Sequence, residues 1–303
     1  MKKVAVYSSF TFSYLAKARV LAESLKKHHP DWDFYALMTD LPPVEVDFNV
    51  EDEPFDSVLW SKDIGIVNFD EWIKTHNIVE ACTAVKGPAM QYLCEQGYDV
   101  VMYLDPDVAV FDSLQPLINE LNDGADILLT PHQLTPEHKD DAVAIKDNEL
   151  CSLTHGVYNL GFVAVNASEN SEGYRFSKWW HDRLYQYCRE DIPNGMFTDQ
   201  RWCDLVPAFF DNVKVIRDPG YNVASWNLSQ RTITFSNDGD ILVNGKPLRF
   251  FHFTKLGPVG RKMTERYAVD NCEVFELWRW YKEAVKKSHV EGLPDRYWAY
   301  GAI

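Results

Sequence analysis

The stretch Val100-Val101-Met102-Tyr103-Leu104-Asp105-Pro106-Asp107 decides how the chain folds on paper. A mostly apolar run between Gly97 and two carboxylates is the pattern of a strand buried on both faces. In open α/β sheets, ligands bind outside the carboxyl ends of such strands, where Asp105 and Asp107 stand. Two carboxylates ~4 Å apart repel by about 4 kcal/mol at an effective dielectric of ~20. The pair therefore calls for a cation, a shared proton or solvent between its members. Oxygen-rich pairs suit hard divalent ions such as Mg²⁺ or Mn²⁺, which bind one or two carboxylates and then substrate phosphates. The plainer reading is a turn or a helix cap. Against it, Val108-Ala109-Val110-Phe111 resumes an apolar run, and Asp112-Ser113 already supplies a cap for the helix that follows. Pro106 fixes φ and removes a donor, as suits a strand end that turns sharply.

On the amino-terminal side, Val4-Ala5-Val6-Tyr7 predicts a first buried strand ending at Ser8-Ser9. Tyr14, Leu15, Ala18, Leu21, Ala22 and Leu25 then recur at helical spacing up to His28-His29-Pro30. Phe34 to Met38 and Ser57 to Trp60 predict two more strands, separated by an acidic loop over residues 42–56. Phe69 to Val85 reads as one helix, and Gly87-Pro88 opens another that ends at Gly97. The alternation of strands and helices predicts an α/β fold with a mainly parallel, doubly wound sheet.

On the carboxyl-terminal side, Asp126 to Thr130 is a strand leading into Pro131-His132. Residues 135–150 are charged and weakly patterned and predict a mobile loop. His155-Gly156-Val157-Tyr158-Asn159 leads into a strand that ends at Asn166, and Tyr174 to Tyr187 is an aromatic-rich helix. Thr198 is expected to cap a short helix containing Asp199 and Gln200. Val213 to Ile216, Thr232 to Phe235 and Ile241 to Val243 are strands. Asn244-Gly245 is a strong hairpin signal that launches Pro247 to Phe253 as one strand. On that strand Phe251 and Phe253 share a core face, while His252 points with Phe250 to the other. A helix from Cys272 to Lys287 closes the core. No repeat, low-complexity run or linker divides the chain. A single domain over 1–303 is expected, with a nucleotide-binding half (1–130), a sugar and acceptor half (131–270) and a terminal helix and tail (271–303).

The chain has 303 residues, of which 46% are hydrophobic, enough for a large core. A formal charge of −15 argues against nucleic acid or an anionic membrane as partner. The six cysteines are scattered without a C-x-x-C, the pattern of buried thiols in a reducing compartment. Tyr7, Ser8, Ser9, Thr11 and Ser13 make the amino terminus too polar for a signal peptide. No segment approaches the length of a membrane span. A soluble, cytoplasmic protein is expected.

Few residues with chemistry remain. Ser9 and Phe10 follow the first strand, where either a base or an ordinary βα turn fits. Lys86 precedes Gly87-Pro88 within reach of a diphosphate. His155 and Asn159 flank Gly156. His252 alone, in an aromatic strand, reads as a core histidine. No H-E-x-x-H spacing supports a zinc hydrolase.

The ordered set of a Ser-containing loop after the first strand, Lys86, Tyr103-Leu104-Asp105-Pro106-Asp107-Val108, Asn159-Leu160-Gly161, Asp199-Gln200 and a late His252 with Lys255 resembles the nucleotide-sugar glycosyltransferases of the GT-A fold. It is most similar to glycosyltransferase family 8, the glycogenin and bacterial galactosyltransferase group, over about residues 1 to 262. That resemblance implies a Rossmann-like fold and transfer of a hexose from a UDP-sugar to a carbohydrate or other hydroxyl acceptor, with retention. It implies that Asp105, Asp107 and His252 hold Mn²⁺ (or Mg²⁺). Lys255 would touch the diphosphate, Lys86 the sugar and phosphates, and Ser8, Ser9 and Phe10 the nucleoside. Asn159, Asp199 and Gln200 would contact the transferred sugar, with Asp199 the candidate nucleophile.

Three rivals are weaker. A haloacid dehalogenase-type phosphatase carries its D-x-D near the amino terminus, and a sugar-phosphate nucleotidyltransferase needs a glycine-rich loop after the first strand. A non-catalytic sugar-binding protein has no need of Asp105, Asp107 and His252 together.

Overall fold

The computed structural model describes residues 2–44, 46, 48–290, 292–293 and 297–301. Positions 45 and 47 of the expected acidic loop, and 291, 294–296 and 302–303 of the expected tail, lie outside the described residues, as does position 1. The first half runs β1 (Val4–Phe10), α1 (Leu15–His28), β2 (Asp33–Met38), β3 (Ser57–Trp60), α2 (Phe69–Ile73), α3 (Ile78–Ala84), α4 (Lys86–Cys94), β4 (Val100–Leu104), β5 (Val108–Val110), α5 (Gln115–Asn122) and β6 (Ile127–Pro131). There follow α6 (Ala142–Ala144), α7 (Cys151–His155), β7 (Tyr158–Asn166), α8 (Glu172–Tyr187), β8 (Glu190–Asp191), β9 (Met196–Phe197), α9 (Val206–Phe209) and β10 (Val213–Val215). Last come β11 (Ile233–Phe235), β12 (Ile241–Val243), β13 (Lys246–Pro247), β14 (Phe250–His252), α10 (Pro258–Ala268) and α11 (Glu273–Lys287).

Seven strands form the central sheet in the order β10-β6-β7-β4-β1-β2-β3. β7 is antiparallel to β4 and β6, and the other pairings are parallel. β4 lies at the centre and is buried along its length. Val101 and Tyr103 pack on one side with Leu93 of α4 and Trp180 of α8. Val100, Met102 and Leu104 pack on the other with Leu21 of α1 and Leu117 of α5. Helices thus cover both faces, as the unbroken apolar run predicts, and each buried aliphatic side chain contributes about 1.5–3 kcal/mol. Among the described residues no helix is long and apolar enough to cross a membrane.

Several local expectations are corrected. The helix expected over 69–85 is two, α2 and α3. Asn77 stops the continuity by accepting a hydrogen bond from the Glu80 amide (2.9 Å), while Glu80 accepts one from the Asn77 amide (3.1 Å). Asp112 does not cap α5: it accepts from the Ser113 amide at 2.6 Å and pairs with Arg249 at 3.0 Å, leaving Leu114 at the cap position. The mobile loop expected over 135–150 is helical in its second half. Asp141 caps α6 (2.8 Å to the Ala144 amide), and a π-helical segment, Ile145–Leu150, leads into α7. The extra residue per turn in that segment blurs the periodicity. Of the six cysteines, all free, Cys94, Cys188 and Cys203 are buried, but Cys151 and Cys272 are exposed.

The hairpin forms at Asn244-Gly245, both at positive φ (51° and 78°), but its return strand β13 lasts two residues. Beyond Leu248-Arg249 the chain joins a different partner: β14 pairs antiparallel with β5, setting His252 opposite Val108. Phe251 and Phe253 share one apolar layer with Tyr281. Phe250 lies in the layer of Phe162 and Tyr221, so its face is also core.

Candidate active site

The β4–β5 turn and the β5–β14 ladder build the site. The Asp105 amide donates to the Gly161 carbonyl (2.9 Å) and the Val108 amide to the Asp105 carbonyl (3.0 Å), closing a tight turn around Pro106. One residue past β14, the Phe253 amide donates to the Asp107 carbonyl (2.8 Å). This places His252 Nε2 3.0 Å from Asp107 Oδ1 and 3.6 Å from Asp105 Oδ2. Gly161 makes room for the ring, because a Cβ there would lie 2.5 Å from His252 Cε1 and 2.7 Å from Asn159 Oδ1. The edge of Trp226 closes the other side at a centroid distance of 5.3 Å.

Burial alone would lower the His252 pKa, but Asp107 and Asp105 outweigh it and raise the value. Burial would likewise raise the Asp107 pKa, yet His252 holds it below the usual carboxylate range. The His252 ring thus stands where the sequence calls for a partner to the two acids. The donor atoms of Asp105, Asp107 and His252 lie within 4.8 Å of one another. Two carboxylates and one imidazole fit a divalent ion of the Mn²⁺ or Mg²⁺ kind, with positions left for substrate oxygens.

Lys86 is the first residue of α4 and is buried. Its Nζ lies 2.9 Å from Asp199 Oδ2, 3.2 Å from Asp105 Oδ1, 3.1 Å from the Leu160 carbonyl and 4.2 Å over the Tyr103 ring. An ammonium has three donors, and three acceptors within the protein face them. Lys86 thus stands as a fixed charge beside Asp105, at the wall of the cleft. Burial would depress its pKa, but Asp105 and Asp199 more than compensate and raise it. Asp199 is itself buried, and burial raises its pKa despite Lys86. It is not among the side chains that line the cleft. Nor does it lie in a helix: Thr198 is at φ 43°, a strained value for a β-branched residue, and the 3₁₀ turn starts only at Arg201.

The far wall is a network of amides. Asn159 Oδ1 accepts from the Gly161 amide (3.1 Å) and from Asn222 Nδ2 (3.0 Å). Asn159 Nδ2 faces His132 Nε2 at 3.3 Å, and Gln200 Nε2 donates to the His155 carbonyl at 2.9 Å. The His132 pKa is lowered to about 4 by burial. On the near wall Ser9 Oγ donates to the Cys82 carbonyl (2.6 Å), and Tyr103 Oη donates to Asp105 Oδ1 (2.6 Å).

Together these walls enclose a cleft of about 610 Å³, within the ~300–1,000 Å³ of small-ligand sites. Of the expected residues, Ser9, Phe10, Lys86, Asp105, Asp107, Asn159, Gln200, His252 and Lys255 line it. Ser8 does not. It belongs to the opposite side of β1 and is wholly buried. Lys255 is exposed at the rim, at φ 52°. Sequence reasoning passed over Tyr14, His132, Thr198 and Trp226, which also line the cleft. His132 was within reach of the strand-end rule, since it directly follows β6; Trp226 carried no signal.

No protein-family model matches the chain. It is 26% identical over 183 residues to the uncharacterized protein YfnF of Bacillus subtilis (strain 168), a match over 60% of this chain and 58% of YfnF. It is 25% identical over 261 residues to the uncharacterized protein YfnD of the same organism, covering 82% of this chain and 78% of YfnD. Among solved structures it is similar to the galactosyltransferase LgtC in complex with donor and acceptor sugar analogs. That likeness has a TM-score of 0.50 and 18% identity, and covers 96% of this chain and 97% of LgtC. It is also similar to the bifunctional glycosyltransferase WbbM, at a TM-score of 0.51 and 12% identity, over 94% of this chain and 52% of WbbM. The chain shares the GT-A glycosyltransferase fold of these structures.

Proposed function

We propose that the chain is a metal-dependent glycosyltransferase that moves a hexose from a UDP-sugar to a carbohydrate or other hydroxyl acceptor, with retention at the anomeric carbon. The observation that carries this reading is the convergence of Asp105, Asp107 and His252 at the carboxyl end of β4, on the floor of the cleft. These three residues would hold Mn²⁺ or Mg²⁺, which when bound supplies positive charge to the donor diphosphate. Lys86 and Tyr103 fix the orientation of Asp105, and Asp199 fixes Lys86. Asn159 and Gln200 offer amides to the hydroxyls of the transferred sugar. Ser9 and Phe10 lie on the wall assigned to the nucleoside. Lys255, exposed at the rim, offsets negative charge on the departing diphosphate. Six free cysteines support a reducing, cytoplasmic setting.

The test is release of UDP from a panel of UDP-hexoses with Mn²⁺, Mg²⁺ or EDTA. Release is expected from at least one donor with metal and none with EDTA. Asp107→Asn and His252→Ala are expected to abolish it and to weaken Mn²⁺ binding followed by paramagnetic resonance, with the fold kept. Release that persists in EDTA, or unchanged Mn²⁺ binding in both variants, would sink the proposal.

A further inference from the structure

A second large concavity lies away from the cleft and shares no lining residue with it. It is a groove of about 800 Å³ between α1, α11 and the β11–β12 hairpin. A neighbouring concavity of about 560 Å³ shares Glu23, Trp280 and Ala284 with it, so the two adjoin at Trp280. Trp280 is 44% exposed, and Phe235 on the hairpin wall is 46% exposed. An indole and a phenyl left this open in one concavity are an unfilled apolar platform. The surroundings are nevertheless polar. Four carboxylates, Glu23, Asp112, Asp240 and Glu276, line the larger part, against Lys27 and His28. Burial and Lys27 lower the His28 pKa.

This combination selects a ligand class. The acid surplus, on a chain of net charge −15, disfavours phosphorylated or sulfated ligands. A purely apolar partner would desolvate Glu23 and Asp240, while Asp112 and Glu276 already pair with Arg249 and Arg279. A neutral sugar chain satisfies both demands, since the C–H faces of its rings cover the aromatic platforms while its hydroxyls donate to carboxylates. Two adjoining concavities of about 800 and 560 Å³ offer more room than a monosaccharide fills. Its position also ties it to the site. Trp280 packs on Phe111 (5.1 Å between centroids), and Phe111 packs on Phe253 (6.4 Å), the neighbour of His252. The β5–β14 ladder thus has the acid cluster at one end (Val108 opposite His252) and the groove at the other (Val110 opposite Phe250).

We infer that this groove is an accessory site for a neutral oligosaccharide, which holds the grown part of a glycan acceptor while its end enters the cleft. The word acceptor rests on the proposed transferase activity; the binding of a neutral oligosaccharide does not. The test uses the intact chain with maltohexaose, cellohexaose and a β-galactan hexamer as probes, and a heparin hexasaccharide as the anionic control. Binding is read by quenching of tryptophan fluorescence and by saturation-transfer NMR. At least one neutral hexamer is expected to bind, its monosaccharide much more weakly, and heparin not at all. Trp280→Ala is expected to weaken binding about tenfold (~1.4 kcal/mol). Because Trp280 also supports Phe111, Phe235→Ala and Glu276→Gln serve as second variants, each expected to weaken binding while the melting temperature and donor-only UDP release stay unchanged. Failure of every neutral hexamer to bind overturns the inference. So does equal binding by all three variants, or self-association in sedimentation that Trp280→Ala abolishes, which would make the groove a contact between copies. Loss of UDP release alone would leave the binding data intact and strike only the transferase reading.

Discussion

Lys86→Met removes a buried charge from between two acids while keeping side-chain volume. The side chains of Lys86 and Asp199 are each only 4% exposed, and that of Asp105 is 24% exposed. Asp199 is then the group left without compensation. Removing one member of a buried ion pair typically costs about 3–5 kcal/mol, a large part of the ~5–15 kcal/mol that holds a domain folded. The cost depends on pH with a definite sign. Burial already raises the Asp199 pKa, and Lys86 is what restrains it. Without Lys86 the folded value rises further above the unfolded one. A carboxyl of this kind contributes stability that is fully present below its unfolded pKa and is lost as pH rises through its folded pKa. The variant should therefore lie close to wild type near the acidic end and fall behind at pH 8. Urea denaturation at about pH 3.5, below the ordinary carboxylate value of 3.8, and at pH 8 measures both ends. Adding Asp199→Asn should restore about half of the loss at pH 8, because the unpaired charge is gone. A loss at pH 8 below about 1 kcal/mol, the scale of an exposed pair, would refute the reasoning. A double variant less stable than Lys86→Met would refute it as well.

Gly161→Ala should displace His252 and Asn159 together, costing about 1–3 kcal/mol by overpacking and, through a shift of ~1 Å at the reacting centre, about a hundredfold in turnover; wild-type melting and wild-type transfer together would contradict the contacts described at Gly161. Gln200→Ala should lower kcat for transfer far more than it lowers UDP affinity, since it faces the sugar side of the cleft; equal losses in calorimetric UDP binding would show that it is misplaced. Asp40 is pushed up to about 8 by burial, against hydrogen bonds from the Phe12 amide and its own. Its contribution to stability is therefore present at low pH and lost as pH rises from the ordinary 3.8 through about 8, so Asp40→Asn should flatten the decline of melting temperature between about pH 4 and pH 8, and an unchanged slope would count against it.

What the sequence revealed and what it concealed divide along physical lines. β4 and its acid pair were legible because a strand buried on both faces needs an unbroken apolar run, and carboxylates cannot continue one. The hairpin was legible because Asn244-Gly245 adopts positive φ at little cost. The change of partner after β13 was not. It depends on Arg249 reaching back to Asp112 and to the Ser113 carbonyl (2.8 Å), a contact between distant parts of the chain. The helix bordering the cleft was missed because its π-helical segment breaks the period that reveals a helix. The burial of Lys86 was not legible, because a lysine's burial cannot be read from its neighbours in sequence. Thr198 was taken for a cap because its residue type favours one, whereas tertiary packing forces it to φ 43°.

The β5–β14 ladder also sets the order in which the acid cluster can mature. Asp105 and Asp107 belong to the first half of the chain, but His252 arrives on a strand whose ladder partner is β5. A chain still growing from its amino terminus can pair β1, β2 and β4 early, because parallel neighbours close over helices already made. Until β14 docks, the two acids stand with Lys86 and Lys17 as nearby positive charges and without the imidazole. A divalent ion is thus unable to template the early sheet. It can only lock a nearly finished fold, slowing unfolding without speeding collapse. In refolding experiments with and without Mn²⁺, the ion's influence should fall almost entirely on the unfolding limb of the chevron.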